Sequence, residues 1–368
     1  MGVKSHLPKP IQINIYGPGT SSQMYIAHLL DLALEASGIR HVINHINDVN
    51  QFIAKNINTV PAIEVDGKVV FELTGKEDYH THTRKFIQAI LKQYNYGNMK
   101  KLIVPTDFSP CSIHAFGYAM QLAHYMNAYV NVLHVYYPAY EAFNVDSTFY
   151  DRELTKRKTM LEDLVSSNSK DFIGEVLHTP MVEGETLIGL PSDVIIEASK
   201  TSKLVLMGAQ GYSELKNAIL GSVSQVVAIH AECNVMVVPS NATFKPLNKI
   251  VLFLSYDRLK DETIAQFAEL ANVFSADVDL VHFLEHGKAP LEDSNLLSLK
   301  EALKGECEIK LLYGKDFKDA VTEYLAQNEV DLISIVRKKK SYFIDLFIKS
   351  HTEEMLSVPN VPILVVHE

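Results

Sequence analysis

The chain has 368 residues, of which 47% are hydrophobic and 21% are charged, a composition typical of globular proteins with two or three domains. The formal net charge of −10 argues against a general nucleic-acid binder, because such a protein needs a basic face. The 3 cysteines are far apart and form no C-x-x-C pair, so neither a disulfide framework nor a zinc site is indicated. No stretch reaches the ~18 apolar residues of a membrane-spanning helix. These features predict a soluble protein of the reducing cytoplasm with no membrane or nucleic-acid partner.

Residues 1–97 are predicted to form a first domain. In chain order, the sequence predicts a strand, a helix ending at Gly38, a second strand and a second helix, at "IQINIYGPG", "SSQMYIAHLLDLALEASG", His41–Ile46 and Val49–Asn56. The stretch "NTVPAIEVDGKVVF" then predicts a β-hairpin, because a tight Asp-Gly turn lies between two apolar runs. The polar stretch Tyr94–Asn98 marks the end of this domain.

The rest of the chain contains an internal repeat. The segment "KLIVPTDFSP", from Lys101, aligns on "KIVLFLSYDR", from Lys249, and the alignment continues without gaps through the next strand of each copy. Further on, "LVLMGAQGYSELKNAILGS" aligns on "LISIVRKKKSYFIDLFIKS". The polar segment Ser240–Asn248 separates the two copies. We therefore place the second and third domains at residues 98–243 and 244–368.

Each copy alternates short aliphatic runs with helical patterns. In the first copy, the predicted strands are Leu102–Pro105, Val130–Val135, Gly174–Val182, Leu204–Gly208 and Asn234–Val238. The predicted helices are Ser112–Met126, Ser192–Thr201 and, with a solvated charged face, Tyr150–Asp171. Strands that alternate with helices and are apolar on both faces predict an open, mostly parallel α/β sheet. Ligands of such sheets bind at the carboxyl ends of the strands.

Three glycines of the first copy follow a buried strand, at Gly208, Gly211 and Gly221, and Ser222 comes directly after the third. Glycines let the backbone turn and bring N–H groups close to an anion. A helix is predicted to begin near Gly221-Ser222, where the Ser222 hydroxyl can cap the helix or bind phosphate. The spacing fits both a phosphate site and a plain glycine-rich turn before a capped helix, and it is not a Walker A loop.

The first copy resembles the nucleotide-binding branch of the universal stress protein family. The three glycines and Ser222 meet the family's G-x2-G-x9-G-[S/T] motif, and the family's strand signatures are present as "VPTDFS" at Val104–Ser109 and "LHV" at Leu133–Val135. The resemblance covers residues 99–240. It implies the Rossmann-like fold of the adenine nucleotide alpha hydrolases.

The resemblance also implies a ligand, namely ATP, ADP or AMP, with Mg²⁺ accompanying ATP, and a role in a stress response or in signalling. The residues implied in nucleotide binding are Pro105, Thr106, Asp107, Val135, Met207, Gly208, Gly211, Gly221, Ser222 and Val223. The resemblance has Asp107 accepting from the ribose hydroxyls, Val135 offering backbone contacts to adenine, and the glycines with Ser222 cradling the phosphates. It assigns no catalytic residue and no protein metal ligand. From its position alone, Asp107 is an ordinary strand-end residue that starts a turn.

The second copy resembles the same family in outline but departs at the ligand positions. Phe253, Leu254 and Ser255 replace Pro105, Thr106 and Asp107, while Val336, Lys339 and Lys349 replace the three glycines and Ser350 alone matches Ser222. We expect this degenerate copy to bind no nucleotide. Because the glycines are absent where the fold pattern is kept, they are better explained by a ligand than by the fold. The run Arg337–Lys340 fits either an anion site or a solvated loop.

Residues 10–92 resemble small thioredoxin- and glutaredoxin-like proteins. The hairpin "TVPAIEVDGK" matches their Thr-x-Pro element, which implies a cis Val60–Pro61 bond. Where those proteins carry C-x-x-C, this chain has Thr20-Ser21-Ser22-Gln23. Thiol exchange needs a thiolate, so we expect a redox-inactive domain that docks an unknown protein partner or is purely structural. A nucleophilic Thr20 would need a nearby base, and the spacing of the histidines in this block indicates none.

The resemblance further implies how the two copies associate. Members of the family pair through their last strands, so a pseudo-dimer within the chain is expected, with Val235–Val238 beside Ile363–Val366. A homodimer is also compatible with the sequence. Two rival functions use the same site: slow ATP hydrolysis or phosphoryl transfer, and a nucleotide-free interaction scaffold. Catalysis needs a positioned base or cation, for which the glycine segment offers only Glu214 and Lys216.

Overall fold

A computed structural model describes residues 10–36, 40–72, 100–138, 147–171, 180–210, 220–254, 259–285, 293–314, 317–337 and 361–368. The chain divides into two compact units. The first is formed by residues 1–99 and 171–181, and the second by residues 100–170 and 182–368. The second unit therefore contains the second copy of the sequence repeat and the first copy apart from residues 98–99 and 171–181.

The described part of the first unit holds a four-stranded sheet and two helices. The elements are β1 (Ile11–Tyr16), α1 (Ser21–Ala36), β2 (His41–Ile46), α2 (Val49–Ala54), β3 (Ala62–Val65) and β4 (Lys68–Glu72). The strand order is β2-β1-β3-β4, with β2 parallel to β1 and β3 antiparallel to both of its neighbours. The predicted strands and the cis Val60–Pro61 bond are confirmed. Helix α2 stops short of the predicted Asn56, which has a left-handed φ of 52°, and the predicted end of the first helix at Gly38 lies outside the described residues.

One face of this sheet carries a polar network around the buried Glu64. Its carboxylate accepts hydrogen bonds from Tyr16 Oη (2.7 Å) and Asn14 Nδ2 (3.0 Å), and it pairs with Lys55 Nζ at 2.8 Å. Burial alone would raise the pKa of Glu64, but the bonds from Lys55, Tyr16 and Asn14 outweigh burial and lower the pKa. Burial, together with the bond to Glu64, raises the pKa of Tyr16 to about 12. The face therefore holds an ionised carboxylate with its donors in place.

The second unit is built on one ten-stranded sheet. Its strands are β5 (Lys100–Thr106), β6 (Ala128–Tyr136), β7 (Val182–Ile188), β8 (Leu204–Gly208), β9 (Asn234–Val238), β10 (Lys249–Leu254), β11 (Asp277–Glu285), β12 (Cys307–Gly314), β13 (Leu332–Arg337) and β14 (Ile363–His367). Its described helices are α3 (Pro110–Met126), α4 (Ser147–Asp171), α5 (Pro191–Ser199), α6 (Ser222–His230), α7 (Asp261–Phe274), α8 (Asp293–Ala302) and α9 (Phe317–Gln327). Within the described ranges, no helix has the length and apolarity needed to cross a membrane.

The two halves of this sheet have the same strand order. The first half runs β7-β6-β5-β8-β9 and the second runs β12-β11-β10-β13-β14, with parallel pairing inside each half. The halves join where β9 pairs antiparallel with β14, which places Val235 opposite Val365 and Val237 opposite Ile363. These are the two strands that the sequence predicted to lie side by side. Each strand covers an edge of the other.

One strand of the first half is displaced from its predicted range. The sequence placed it at Gly174–Val182, whereas β7 occupies Val182–Ile188 and shares only Val182 with that range. Residues 174–179 of the predicted range lie outside the described residues. The prediction followed the more apolar run, but the alternating pattern "VEGETLI" is the one that pairs with β6. The other strands and the predicted helices on either side of the site agree with the structure within two residues at each end.

Side chains also join the two halves. Glu269 of α7 pairs with Lys100 Nζ at 2.7 Å and with Lys203 Nζ. Burial alone would raise the pKa of Glu269, but the bonds from the two lysines lower it. The ring of Tyr125 of α3 lies 5.0 Å from the ring of Phe274 of α7. Helices α3 and α7 are therefore linked across the junction of the halves.

The last strand makes a further contact with the first half. The backbone N–H of His367 donates to Asn234 Oδ1 (3.0 Å), and His367 Nε2 lies 3.1 Å from the carbonyl oxygen of Ala228 in α6. Burial lowers the pKa of His367 to about 4, so the imidazole is neutral at physiological pH and donates to the carbonyl through Nε2–H. The end of β14 is thereby anchored against α6.

The buried Asp331 ties the segment between the halves to the start of β13. Its Oδ2 accepts from the backbone N–H groups of Asn248 (2.7 Å) and Lys249 (2.9 Å), and its Oδ1 pairs with Lys245 Nζ at 2.6 Å. Burial alone would raise the pKa of Asp331, but these contacts lower it. The carboxylate thus acts as an ionised acceptor for three donors.

We expect Asp331→Ala to lower the free energy of unfolding by about 1–3 kcal/mol at neutral pH, because it leaves two N–H groups without their acceptor. The folded pKa lies below the value of the unfolded chain, about 3.9. The contribution of Asp331 is therefore complete above the unfolded value and is lost as the pH falls through the folded one. Urea unfolding at neutral pH and at about pH 3 should show a difference from wild type that shrinks in acid. Asp151→Ala, on the exposed face of α4, should unfold like wild type at both pH values, and an equal loss at both for Asp331→Ala would contradict the account.

Candidate functional site

A cavity of 250 Å³ lies in the first half of the second unit, at the carboxyl ends of β5, β6 and β8. The starts of α5 and α6 complete its wall. It is lined by Pro105, Thr106, Asp107, Ser112, Leu133, Val135, Pro191, Ile195, Met207, Gly208, Gln210, Gly221, Ser222, Val223 and Ser224. This edge is the one at which open parallel sheets bind their ligands.

The cavity brings together nine of the ten predicted site residues, and the tenth, Gly211, lies outside the described residues. Their contact with a ligand stays a prediction. The sequence did not identify Ser112, Leu133, Pro191, Ile195, Gln210 and Ser224. Gln210 and Ser224 lie next to the glycine motif and could have been included from their position. Ser112 and Ile195 come from helices packed against the strand ends, for which no local motif exists.

The turn after β5 places Thr106 and Asp107 at the cavity. Asp107 Oδ1 accepts from the N–H of Ser109 (3.0 Å), so Asp107 does start a turn, as its position alone predicted. Thr106 Oγ1 accepts from the N–H of Phe108 (3.0 Å) and lies 3.0 Å from Ser112 Oγ. Phe108 has a left-handed φ of 64°, which completes the turn. Side-chain hydrogen bonds therefore fix the strand end, with the Asp107 carboxylate exposed at the cavity rim.

Gly208 allows the end of β8 to approach the first turn of α3. A Cβ at this position would lie 2.8 Å from both the carbonyl oxygen and the Sγ of Cys111, closer than packed atoms come. The packing of α3 on β8 in this half therefore favours glycine here without any ligand. The expectation that a ligand rather than the fold explains the three glycines is thus incomplete for Gly208, which also has a packing reason.

Helix α6 begins at Ser222, as predicted, and its N-cap is Gly221. Because Gly221 has no side chain, no side-chain cap is present, and Ser222 is the first helical residue rather than the cap. The N–H of Gly221 donates to Ala209 O (2.7 Å) and Ser224 Oγ donates to Gly208 O (3.0 Å), which holds the helix start on the end of β8. The first N–H groups of a helix have no acceptor inside the helix, and the helix dipole favours a negative charge beside them. The start of α6 is therefore suited to an anion.

Part of the cavity wall is apolar. Leu133, Ile195 and Met207, which we call the apolar wall, are buried side chains from β6, α5 and β8. A pocket with a mainly apolar wall and a few placed polar groups orients a ligand that has a flat apolar part and a polar end. The cavity and the start of α6 together provide both kinds of surface.

The buried His134 supports the site from the opposite face of the sheet, because its side chain alternates with those of Leu133 and Val135. Its Nδ1 lies 2.8 Å from the carbonyl oxygen of Thr106. Burial lowers the pKa of His134 more than this bond raises it, so the ring is neutral and donates to the carbonyl. His134 thus links β6 to the end of β5 and does not line the cavity.

The sequence is similar to known proteins of one family. The model of the universal stress protein family matches residues 98–239. The chain is 31% identical over 174 residues to universal stress protein MJ0531 of Methanocaldococcus jannaschii, a match that covers 42% of this chain and 94% of that protein. The chain belongs to the universal stress protein family.

A solved universal stress protein shares the α/β fold. A universal stress protein from Archaeoglobus fulgidus matches with a TM-score of 0.54 and 18% identity, over 73% of this chain and 96% of that chain. A universal stress protein in complex with cAMP matches with a TM-score of 0.30 and 23% identity, over 38% of this chain and 96% of that chain. The first match establishes the likeness of fold.

At the corresponding positions of the second half, this universal stress protein has large buried side chains. Phe253, Leu254 and Val336 are all buried, and the Phe253 ring lies edge to face with Tyr324 of α9 at 6.1 Å. The second half thus has a buried side chain, Val336, at the position of Gly208, and larger apolar side chains at the positions of Pro105 and Thr106. The remaining predicted differences, at Ser255, Lys339, Lys349 and Ser350, lie outside the described residues, as do residues 338–340 of the basic run.

In the first unit of this universal stress protein, the segment Thr20-Ser21-Ser22-Gln23 is held by the buried Gln23. Its Oε1 accepts from the N–H of Gly19 (2.7 Å), and its Nε2 donates to Ile15 O (3.2 Å). The N–H of Gln23 lies 3.4 Å from Thr20 Oγ1. An amide side chain therefore fixes the loop before α1 at the fourth position of the segment.

We expect Gly208→Ala to lower the free energy of unfolding by about 1–3 kcal/mol, because the added Cβ meets the Cys111 backbone, which must shift. Gly117→Ala in α3 is the matched control, since a Cβ there meets no atom within 4 Å. In a helix interior this exchange should stabilise the protein by about 0.5–1 kcal/mol. Urea unfolding of both variants measures the difference. If Gly208→Ala is as stable as wild type, the close approach of β8 to α3 is not what requires the glycine.

Proposed function

We propose that the first half of the second unit binds ATP or another adenine nucleotide, ADP or AMP, and that the protein acts in a stress response or in signalling. The observation that carries this proposal is one cavity that joins the apolar wall to the uncapped start of α6, at the carboxyl ends of parallel strands. Membership of the universal stress protein family supports it. The full glycine motif, with Ser222 in place, adds the sequence support.

The surfaces of the cavity divide among the parts of the nucleotide. The adenine ring is assigned to the apolar wall, with the backbone of Val135 available for hydrogen bonds to its edge. The carboxylate of Asp107 at the rim is assigned to the ribose hydroxyls. The phosphates are assigned to the N–H groups of Ser222 and Val223, where the dipole of α6 favours negative charge.

Mg²⁺ is expected to accompany ATP and to neutralise part of the phosphate charge. Among the described residues, no group of three or more His, Cys, Asp or Glu side chains could hold a metal ion. Mg²⁺ commonly keeps several waters and binds through phosphates together with one or two protein oxygens. The ion is therefore assigned to the nucleotide, which carries it into the site.

We assign the second half to a degenerate stress domain that binds no nucleotide. Its strand order, the same as in the first half, supports the domain assignment, and the buried Phe253 and Val336 support the loss of the ligand. The antiparallel β9–β14 pairing supports an intramolecular pseudo-dimer of the two stress domains.

We assign the first unit to a redox-inactive thioredoxin-like domain that docks a protein partner. Its β2-β1-β3-β4 sheet and the cis Val60–Pro61 bond before β3 support the fold assignment. Without a cysteine in this unit, thiol exchange has no nucleophile. The composition and the absence of paired cysteines support a cytoplasmic location.

Ser222→Asp tests the phosphate position directly. A carboxylate in the first turn of α6 stabilises the helix but repels a phosphate, so we expect the dissociation constant for Mg-ATP to rise at least about tenfold while the melting temperature stays the same or rises. Isothermal titration calorimetry of wild type and variant measures the affinity. The neutral Ser222→Asn variant is the matched control and should bind much more like wild type.

Adenosine, which has no phosphate, should bind wild type and Ser222→Asp with similar affinity. If wild type binds no adenine nucleotide, the proposed function is wrong. If the Asp variant binds Mg-ATP as tightly as wild type, the nucleotide lies elsewhere or its phosphates do not reach α6.

We expect no release of phosphate above the buffer rate, because the described lining of the cavity includes no Lys or Arg, and its one carboxylate, Asp107, is assigned to the ribose. The two candidates from the glycine segment, Glu214 and Lys216, lie outside the described residues. A coupled phosphate assay with Mg-ATP in excess measures the rate. Steady release that is abolished by Ser222→Asp would favour the enzymatic alternative. Saturable binding without release would favour a regulatory protein over both rivals.

A further inference from the structure

The outer strand β12 of the second half presents an apolar stripe to solvent. Ile309, Leu311 and Tyr313 are 40%, 36% and 67% exposed, and as alternate residues they lie on one face of the sheet. We call these three residues the β12 stripe. Exposed apolar side chains in a row on an outer strand are characteristic of an interaction surface.

The same face of the first half is covered. Gly184 of β7 lies opposite Val132, as Ile309 of β12 lies opposite Leu280. In the first half, Leu161 of α4 packs on Gly184, with its Cγ 3.1 Å from the place a Cβ would occupy. The β12 stripe is thus the uncovered counterpart of a face that α4 covers in the first half.

Helix α8, which follows β11 as α4 follows β6, is held away from the β12 stripe. The Nδ2 of Asn272 in α7 donates to the carbonyl oxygen of Ala302, the last residue of α8, at 2.8 Å. The Oδ1 of Asn272 accepts from the N–H of Lys304 at 2.7 Å. The end of α8 is therefore fastened to α7, and Leu297 on α8 is itself exposed.

The backbone edge of β12 is also available. One side of β12 pairs with β11, and among the strands of the described ranges none pairs with the other side. Lys310, which could protect an edge by its charge, is drawn to the covered face of the sheet by Asp279 at 2.7 Å. The opposite outer strand, β7, carries Glu183 and Glu185 and lies under α4. Of the two outer strands of this sheet, as the described residues show them, β12 is the one that combines an open edge with an apolar face.

We propose that β12 pairs antiparallel with β12 of a second copy of this chain, around a twofold axis at Leu311. In this register Leu311 lies opposite Leu311 of the second copy, and Ile309 lies opposite Tyr313. Each residue of the stripe then meets an apolar residue across the strands, including a favourable pair of aromatic and β-branched side chains. The arrangement is self-complementary, as a twofold dimer requires.

Other ways of pairing this edge are less favourable. Moving the axis to Lys310 would place two lysines opposite each other. Any position of the axis other than Leu311 also separates Tyr313 from Ile309. Pairing β12 with β7 of another copy would bring the stripe to the face of β7 that α4 covers and would generate an open-ended chain of molecules. The contact between β9 and β14, which joins the two halves, is also an antiparallel pairing of edge strands.

Light scattering coupled to size exclusion tests the dimer. We expect wild type to run at twice the chain mass of 41.3 kDa, and Leu311→Lys to run as a monomer with an unchanged melting temperature. Met160→Lys, on the exposed side of α4, is the matched control and should remain dimeric. A monomeric wild type at all concentrations, or a dimer that survives Leu311→Lys, would overturn the proposal.

Cross-linking tests the register and does not depend on the stability of the lysine variant. In a Cys307→Ser background, Leu311→Cys should form a disulfide-linked dimer under mild oxidation, because antiparallel partners have Cα atoms about 4.5–5.5 Å apart. Tyr313→Cys in the same background is the control. Its two copies would lie four residues apart along the strands, about 14 Å, beyond the range of a disulfide. Equal cross-linking of both variants, or of neither, would overturn the proposed axis.

Discussion

The main-chain pairing of β9 with β14 is the contact on which the second unit depends. It turns two five-stranded parallel sheets into one sheet of ten strands and removes an open edge from each. Because the pairing is antiparallel, the carboxyl ends of the strands in the two halves lie at opposite edges of the sheet. The cavity of the first half therefore lies on the side of the sheet where the strands of the second half begin. The ion pairs of Glu269 and the hydrogen bond from His367 to α6 stabilise this arrangement of the two halves. The same pairing leaves β7 and β12 as the outer strands.

Comparison of the two halves distinguishes the contacts that the fold requires from those that the site requires. His134 and His282 occupy equivalent positions, are both buried, and have Nδ1 at 2.8 and 3.2 Å from the carbonyl oxygens of Thr106 and Leu254. Burial lowers the pKa of both histidines, so both links between neighbouring strands involve neutral rings. The strand ends beside them differ, since the first half has the Thr106 hydroxyl, which accepts from the N–H of Phe108, where the second has the buried apolar Leu254. The histidine link belongs to the fold, and the Thr106 hydroxyl is specific to the half that holds the cavity.

Most elements of the sheet could be predicted from the sequence because their strands are short aliphatic runs, apolar on both faces. The strand β7 could not be placed correctly, because an outer strand covered on one face alternates and is less apolar than the segment before it. The lining residues at strand ends and in the glycine motif could be predicted from local motifs. Ser112 and Ile195 could not, because their place in the lining depends on how the helices pack. The requirement for Gly208 was also hidden, since it comes from Cys111, a residue distant in sequence. Local pattern determines elements, and non-local contact determines which residue a position tolerates.

Joining the two halves in one chain changes the thermodynamics of their association. Two separate subunits dissociate on dilution, but halves joined by a short segment face each other at a constant effective concentration, of the order of millimolar for short flexible connections. The segment is itself fastened, since Asp331 accepts from Asn248 and Lys249 and His114 Nε2 lies 2.7 Å from the carbonyl oxygen of Ala242. Occupancy of the β9–β14 contact is therefore independent of how much protein is present. The second half can serve as a permanent edge cover for the first whatever its own strand ends bind.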